Sequence, residues 1–524
     1  MVKLERVREG AAGRVPDIDL RLRDVALRAP ERVALACGVE TLSWGAFNTY
    51  VSRIANALIA VGVGPGDKVA LLGRNSIPYV LAMFGALRAG ACFVPLSTLT
   101  SGEALTGMIR DSGARCLFLS GEFREILRPE LDSLRPLMEQ GVIDLEGTAG
   151  SGMSLEDFIR DAPVGRSVVD HVPEQGFNLI YSSGTTGVPK GILQSRAYRA
   201  LEAQHMIEGF GLDGEAHTIV ATPLYSNTTL FLFLAVMAAG GSATLMPKFS
   251  VGEFLRLCGQ TRPTHQVLVP VQYERLLASE DFGRADLSSF REKFCTSAPL
   301  RTSVKREILD RWPAGGLTEF YGMTEGGVSC MLRAHERPDK LNTVGQPSHG
   351  CELRILDDEG EELGTGMPGE IVARSDKMMS GYHNRPDATR EASWFDADGV
   401  RFQRSGDIGW LDEEGFLHLL DRKKDVIISG GFNIYAVDLE AVLLSCPGVA
   451  DAAVVAAPSE RWGETPVAFV VLEEESSLDP ETVRQAANAG LGKAQQIGEV
   501  RLIDALPRSP IGKILKRELK ARLQ

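Results

Sequence analysis

No stretch of this chain is apolar for long enough to cross a bilayer. The longest run, LFLFLAVMAA at residues 230–239, falls well short of the roughly 20 residues that a spanning helix needs. The opening segment, MVKLERVREGAAGRVPD, holds no apolar core of the kind a secretory leader carries, so a cytoplasmic location is expected. Cysteine is sparse and unpatterned. Cys37, Cys92, Cys116, Cys258, Cys295, Cys330, Cys351 and Cys446 form no C-x-x-C and no zinc-ligand spacing with histidine, which points to buried free thiols in a reducing compartment. Positive charge is in deficit: 56 basic against 69 acidic residues give a net charge of −13. That balance argues against nonspecific binding to nucleic acid or anionic membrane and still allows a local basic site. Internal repeats and long low-complexity segments are also lacking. What remains is 44% hydrophobic and 24% charged, the composition of a globular protein. A chain of 524 residues exceeds what one core usually sustains, so at least two domains are expected.

The pattern along the chain is layered α/β. Residues 44–61 carry apolar positions at helical spacing, and Gly62, Gly64 and Gly66 then stop the helix. KVALLG reads as a buried strand, PYVLAMFGALRAG as a helix and ACFVPL as a second strand. The three glycines follow a helix and precede a strand, the wrong order for a dinucleotide fingerprint. The pattern recurs over 201–310. From about 345 the texture changes to short strands and turns (CELRILDDEGEEL, GEIVARS, GFLHLLDR), which predicts a small β-rich subdomain. After DRKKD at 421–425, a final block alternates helix and strand. The expected architecture is a large N-terminal domain, 1–422, of layered sheets and helices, and a small mobile α+β domain, 423–524.

The most informative segment is YSSGTTGVPKG at 181–191. Its small residues let backbone N–H groups approach a phosphate, Ser182, Ser183, Thr185 and Thr186 add hydroxyl donors, and Lys190 adds charge. No Gly-Lys-Ser/Thr follows at Walker spacing. A polar turn would also look glycine- and serine-rich, but the lysine and the apolar lead-in FNLI favour phosphate binding.

SSGTTGVPKG resembles the phosphate loop of the adenylate-forming superfamily of acyl-CoA synthetases, peptide-synthetase adenylation domains and luciferases. Four further segments resemble that family's motifs in order: YGMTE at 321–325, SGDIGWLDEEGF from Ser405, DRKKDVIISGGFNIY from Asp421 and PRSPIGKILKREL from Pro507. The resemblance runs from about residue 20 to the end, closest in pattern to aryl- and acyl-CoA ligases. It implies an acid-thiol ligase that joins a carboxylic acid to ATP as acyl-AMP and then passes the acyl group to a thiol. ATP, Mg2+ and CoA are the implied cofactors. By resemblance, Ser182, Ser183, Gly184, Thr185, Thr186 and Lys190 hold phosphates. Tyr321, Gly322, Met323 and Thr324 take the adenine and α-phosphate, with Ser297, Ala298 and Pro299 on the other side of the ring. Asp407 and Arg422 take the ribose. Glu325 is the implied magnesium ligand, since that ion favours one carboxylate with phosphate oxygens. Lys513, Thr186 and Glu325 form the implied catalytic set. Lys513 would bridge the substrate carboxylate and the α-phosphate and offset charge developing there. Lys424 matches the family's hinge, and Gly430, Gly431 and Trp462 match its CoA path.

The acid is the least encoded feature. The implied acyl pocket is Tyr225, Ser226, Thr229, Phe320, Gly326, Gly327 and Val328. Ser226 stands where many relatives have histidine, and Phe320 is bulky where coumarate ligases tend to be smaller. No aspartate stands ready for an α-amino group. An aromatic or arylpropenoic acid is expected, with a medium- or long-chain fatty acid, or loading of a carrier-protein thiol, as the alternatives. The run KAQQIGEV from Lys493 lacks lysines common in CoA ligases, which predicts weak dependence on the CoA nucleotide phosphates. No nucleic-acid partner and no membrane span are expected, and a homodimer is the assembly considered.

Overall fold

The computed structural model describes residues 15–134, 141–147, 153–165, 169–182, 189–429, 432–459, 461–492, 495–508 and 514–523. They fall into two compact units. The first draws on Met1–Leu341, Ser348–Glu352 and Arg374–Gln403, the second on Asn342–Pro347, Leu353–Ala373 and Arg404–Gln524.

In the first unit, strands β1 (Lys68–Leu72), β2 (Cys92–Pro95) and β3 (Cys116–Leu119) are almost wholly buried, as apolar runs in a parallel sheet covered on both faces should be. β1 pairs in parallel with β2 and β3. The predicted helices form at Trp44–Ala60 and Ile77–Arg88, and the first stops where Gly62 takes φ 84°. Strands β4 (Gly176–Ser182) and β5 (Lys190–Ser195) extend the sheet as an antiparallel pair, with Ser182 opposite Lys190. Helix α1 (Arg196–Phe210) follows at once. Ser195 caps it by accepting from Tyr198 N at 3.1 Å, and Gly211 ends it in the left-handed region. Helix α2 (Asn227–Ala238) is the apolar run noted in the sequence, and its leucines and Phe233 are buried in the core.

A second sheet carries β6 (His265–Leu268), β7 (Glu292–Cys295) and β8 (Gly316–Gly322) in parallel, with β9 (Ser329–Arg333) antiparallel to β8. Strand β10 (Gly381–Tyr382) returns to the first sheet and pairs with β5, placing Tyr382 opposite Ile192. All eight cysteines are free thiols as expected, but Cys37, Cys351 and Cys446 are only half-buried.

The second unit joins the β-rich segment to the C-terminal block. β11 (Arg401–Leu411) and β12 (Leu417–Arg422) form a hairpin that sets Asp407 opposite Arg422. Beyond it, β13 (Val449–Ser459) and β14 (Gly463–Leu472) pair antiparallel, and β15 (Glu499–Leu502) joins β14 in parallel. Helix α3 (Ala436–Leu444) covers this sheet through Leu439 and Leu443. No helix among the described residues is long and apolar enough to cross a membrane.

The N-terminal helix Ile18–Arg28 is fixed by a buried pair, Asp19 to Arg88 at 2.8 Å, with both side chains almost fully enclosed. Burial opposes ionisation of Asp19, but His171, Arg88 and Arg23 outweigh it and hold the carboxyl well below its usual range. Asp19→Asn removes one partner of a buried pair and should cost about 3–5 kcal/mol at pH 7. A carboxyl with a lowered folded-state pKa contributes fully above its unfolded value of about 3.9 and loses that contribution as pH falls toward the folded value. The urea midpoints of wild type and variant should therefore differ by a constant amount from pH 7 to about 5 and converge below about 4.

Candidate active site

Ser183, Gly184, Thr185 and Thr186 lie outside the described residues, as do Gly430, Gly431 and Lys513. The strands that bracket the phosphate-type turn are described. β4 ends at Ser182 and β5 opens on Lys190, so the hairpin register sets the two residues side by side.

Lys190 and Glu325 are brought together by a residue that the sequence reading missed. The Lys190 ammonium stands 5.2 Å from the centroid of the Tyr382 ring, and the Tyr382 hydroxyl donates to Glu325 Oε1 at 2.8 Å. Burial, and then the Glu325 charge, push the Tyr382 phenol up, so it remains a donor. The tyrosine is in reach because β10 pairs with β5 and because Met379 N donates to Glu325 O at 2.7 Å. The Gly381-Tyr382 pair followed by Asn384, Arg385 and Pro386 was the available signal.

Behind this edge lies a buried polar network. Arg199, on α1, donates from Nε to Asn178 Oδ1 at 2.8 Å, from Nη2 to Asn227 Oδ1 at 2.7 Å and from Nη1 to Glu202 Oε2 at 2.6 Å. Asn178 Nδ2 donates to Gln194 Oε1 at 2.8 Å, and Gln194 Nε2 donates to the carbonyl of Thr324 at 2.6 Å. Asn178, Gln194 and Arg199 are fully buried. The network fixes the Thr324–Glu325 turn relative to β4, β5, α1 and α2. A second buried carboxylate holds the opposite wall. Glu319, two residues before Tyr321, accepts from Leu300 N at 2.8 Å and pairs with Lys305 at 2.5 Å. It thereby ties the Ser297–Ala298–Pro299 segment to β8. Ser297 sits at φ 82°, a strained value for a residue with a side chain, and its hydroxyl meets that of Thr228.

The acyl-pocket candidates have differing placements. Ser226 caps α2, accepting from Thr228 N at 3.3 Å. Thr229 is buried and its hydroxyl bonds to Thr222 Oγ1 at 2.7 Å and Pro223 O at 2.6 Å. Tyr225 is partly exposed. Phe320 packs in a cluster of rings with Phe210, Phe231 and Phe294, at centroid separations of 5.9, 5.6 and 5.8 Å. Gly326 and Gly327 take φ 73° and 81°, and Val328 is buried behind them. In the second unit, Arg422 Nε meets Asp407 Oδ1 at 3.0 Å, bringing the two ribose candidates together. Lys424 is exposed, and Trp462 is half-exposed under the Arg461 guanidinium at 4.6 Å. Partial burial, with Arg422, Lys520 and Arg517 close by, lowers the Lys424 ammonium.

Fold and site together define a two-unit α/β enzyme in which a lysine and a carboxylate meet on either side of one tyrosine. The chain belongs to the AMP-binding enzyme family: that family's profile matches residues 22–383, and the profile of the AMP-binding enzyme C-terminal domain matches 438–513. It is 34% identical to a feruloyl-CoA synthase of Amycolatopsis sp over 503 residues, covering 95% of this chain and 97% of that one. It is 31% identical to 4-coumarate–CoA ligase 2 of Oryza sativa subsp. japonica, covering 94% and 90%. Among solved structures, ATP-bound MatB of Rhodopseudomonas palustris superposes with a TM-score of 0.88 at 28% identity, covering 97% and 98%.

Gly326 offers a direct test of the turn. A Cβ there would stand 2.2 Å from Lys377 O and 2.9 Å from the Tyr198 ring, in a backbone region that side chains rarely adopt. Gly326→Ala should lower the thermal midpoint by several degrees and cut acid-dependent pyrophosphate release at least about tenfold, a loss above 1.4 kcal/mol. Unchanged values in both assays would show that the turn yields.

Proposed function

We propose that this chain is an ATP-dependent acid:CoA ligase that activates an aromatic or arylpropenoic acid as acyl-AMP and passes it to the thiol of CoA. The observation that carries the reading is the convergence of Lys190 and Glu325 through Tyr382, beside Thr324 and Tyr321. That is an arrangement suited to a polyphosphate and the cation it brings. The relatives named feruloyl-CoA synthase and 4-coumarate–CoA ligase, matched over nearly their whole length, support the aryl acid and the CoA acceptor.

Within this reading the residues divide the work. Ser182, Ser183, Gly184, Thr185, Thr186 and Lys190 cradle phosphates. Tyr321 stacks on adenine, opposite the segment that Glu319 holds in place. Asp407 and Arg422 take the ribose hydroxyls. Among the described residues no cluster of three or more His, Cys, Asp and Glu could hold an ion by itself. Glu325 keeps Oε2 clear of hydrogen bonds from any described residue, so one carboxylate with nucleotide oxygens fits Mg2+ in its usual manner. The ion, when bound with ATP, would offset the phosphate charge that repels an incoming carboxylate. Lys513 then bridges carboxylate and α-phosphate. Gly430, Gly431 and Trp462 line the thiol's approach once the segment beyond residue 422 has turned about Lys424.

Two variants test the division. Lys513→Ala should slow ATP–pyrophosphate exchange by about 2.7–4 kcal/mol, the worth of one preorganised charge stabiliser, and leave thioester formation from supplied acyl-AMP largely intact. Equal loss in both half-reactions would remove Lys513 from its role. Lys424→Pro locks φ near −65°. Single-turnover acyl-AMP formation should survive in that variant while thioester release collapses, and full steady-state thioester output would place the pivot elsewhere.

A further inference from the structure

The phosphate-type turn stands on two feet, Ser182 at the end of β4 and Lys190 at the start of β5. A further segment, 379–385, runs antiparallel along β5. Ser380 N donates to Leu193 O and His383 N to Gly191 O, each at 2.8 Å. At one end of this segment Met379 N holds Glu325 O, and midway the Tyr382 ring faces Lys190. At its other end it meets Asp111, in the last turn of the helix Gly102–Ser112. Asn384, at the left-handed φ of 54°, donates from Nδ2 to Asp111 O at 3.1 Å. Arg385 Nη2 stands 3.4 Å from Asp111 Oδ1.

The second carboxylate oxygen of Asp111 serves the other foot. Tyr181, immediately before Ser182, donates from its hydroxyl to Asp111 Oδ2 at 2.8 Å. Its ring passes close over the partner strand: a Cβ on Gly191 would stand 3.2 Å from two of the ring carbons, and glycine leaves that path open. Burial, then the bond to Asp111 and its charge, push the Tyr181 phenol up, so it remains a donor. Asp111 is therefore bonded on one side to the strand that enters the turn. On the other it is paired with the segment that lies along the strand leaving it. The Ser182–Lys190 pair is the last rung of the β4–β5 ladder, with no further pairing beyond it in that register to steady it. A turn that receives a polyphosphate binds it best when its donors are already in place, because ordering left until binding lowers affinity.

We propose that Asp111 is a positioning residue for the phosphates that leave as pyrophosphate: through Tyr181 on one side and the 379–385 segment on the other, it holds both feet of the turn. This rests on the acid:CoA ligase reading, in which the turn between Ser182 and Lys190 cradles phosphates, and adds the residue that sets the cradle. The role has a selective signature. ATP carries the phosphates that the turn would hold, and AMP lacks them. Loss of the tether weakens ATP and spares AMP, whereas general damage to the fold weakens both.

The test measures the dissociation constants of ATP with Mg2+ and of AMP by titration calorimetry. Asp111→Ala should weaken ATP roughly tenfold, the low end for a hydrogen bond to a charged group, and change AMP by less than about twofold. Tyr181→Phe removes only the hydroxyl and should weaken ATP in the same direction, which keeps the proposal exposed if Asp111→Ala fails to fold. The double variant should be no worse than Asp111→Ala alone, since the hydroxyl acts through that carboxylate, whereas two independent lesions would add. Asp111→Asn, which can still accept from Tyr181 but offers Arg385 no charge, should fall between wild type and Asp111→Ala. Equal weakening of ATP and AMP, additive effects in the double variant, or an unchanged ATP constant overturns the role of Asp111. The ligase reading is checked separately by pyrophosphate release from wild type with ATP and a panel of aryl acids. Release together with unchanged ATP constants in the variants leaves the ligase standing without the tether. No ATP binding by wild type overturns both.

Discussion

The whole edge of the first unit turns on one guanidinium. Arg199 is fully buried, and each of its three donor positions has a partner, on β4, α2 and its own helix. A guanidinium cannot shed its charge to escape burial, so it imposes its geometry on whatever surrounds it. Asn178 must present Oδ1 to it, which leaves Nδ2 for Gln194, and Gln194 Nε2 in turn donates to the Thr324 carbonyl at 2.6 Å and, at 3.5 Å, to Asn227 Oδ1. A chain of oriented amides thus runs from a helix to the turn that carries Glu325. Partly satisfied networks of this kind are costly, so the turn is specified as strictly as the core.

That constraint lets Lys190 and Glu325 hold their places without direct contact with one another. Lys190 and Glu325 are on different segments and approach through Tyr382, whose ring faces the cation and whose hydroxyl faces the carboxylate. Neither charge is consumed by the other. Glu319 does the equivalent work on the far wall. Burial pushes its carboxyl up, against Lys305, and its hydrogen bond to Leu300 N holds the segment that begins at the strained Ser297. Strain of this kind persists only where neighbours over-determine it.

How much of this could be read in advance depended on how narrowly chemistry restricts each residue. The α/β layering was legible because buried parallel strands demand continuous apolar runs such as VALL and CFVP. The phosphate-type turn rests on the same kind of restriction, since only small and hydroxyl residues let a backbone approach a phosphate, but its residues 183–188 lie outside the described ones. Asn178 and Gln194 were not legible: a lone amide within an apolar strand looks the same whether it solves a network or merely blemishes a core. Tyr382 comes from a segment far beyond α1 in sequence, and the pairing of β10 with β5, together with the backbone bond from Met379 N to Glu325 O, brings it to Glu325. Thr229 shows the converse, a hydroxyl in the right stretch of sequence that its own helix entry consumes.

The same reasoning bears on where a pivot could sit in the second unit. Around residues 421–425 the side chains are tied in turn. Asp421 accepts from Ala436 N at 2.7 Å, Arg422 meets Asp407, Lys423 reaches Glu370 and Asp358 at 3.2 Å each, and Asp425 pairs with Lys520 at 3.2 Å. Lys424 makes no hydrogen bond or ion pair to a described residue. A backbone rotation at 423 or 425 would break a charge pair and leave partners such as Glu370, which is nearly buried, to be satisfied anew. Rotation at 424 spares the Arg422, Lys423 and Asp425 pairs and gives up the Asp421–Ala436 hydrogen bond, whose partners lie on either side of it. Partial burial, with Arg422, Lys520 and Arg517 close by, lowers the Lys424 ammonium against the pull of Asp425. Were the chain to turn here, the charge pairs on either side would stay fixed, because the Lys424 side chain between them is tied to no described residue.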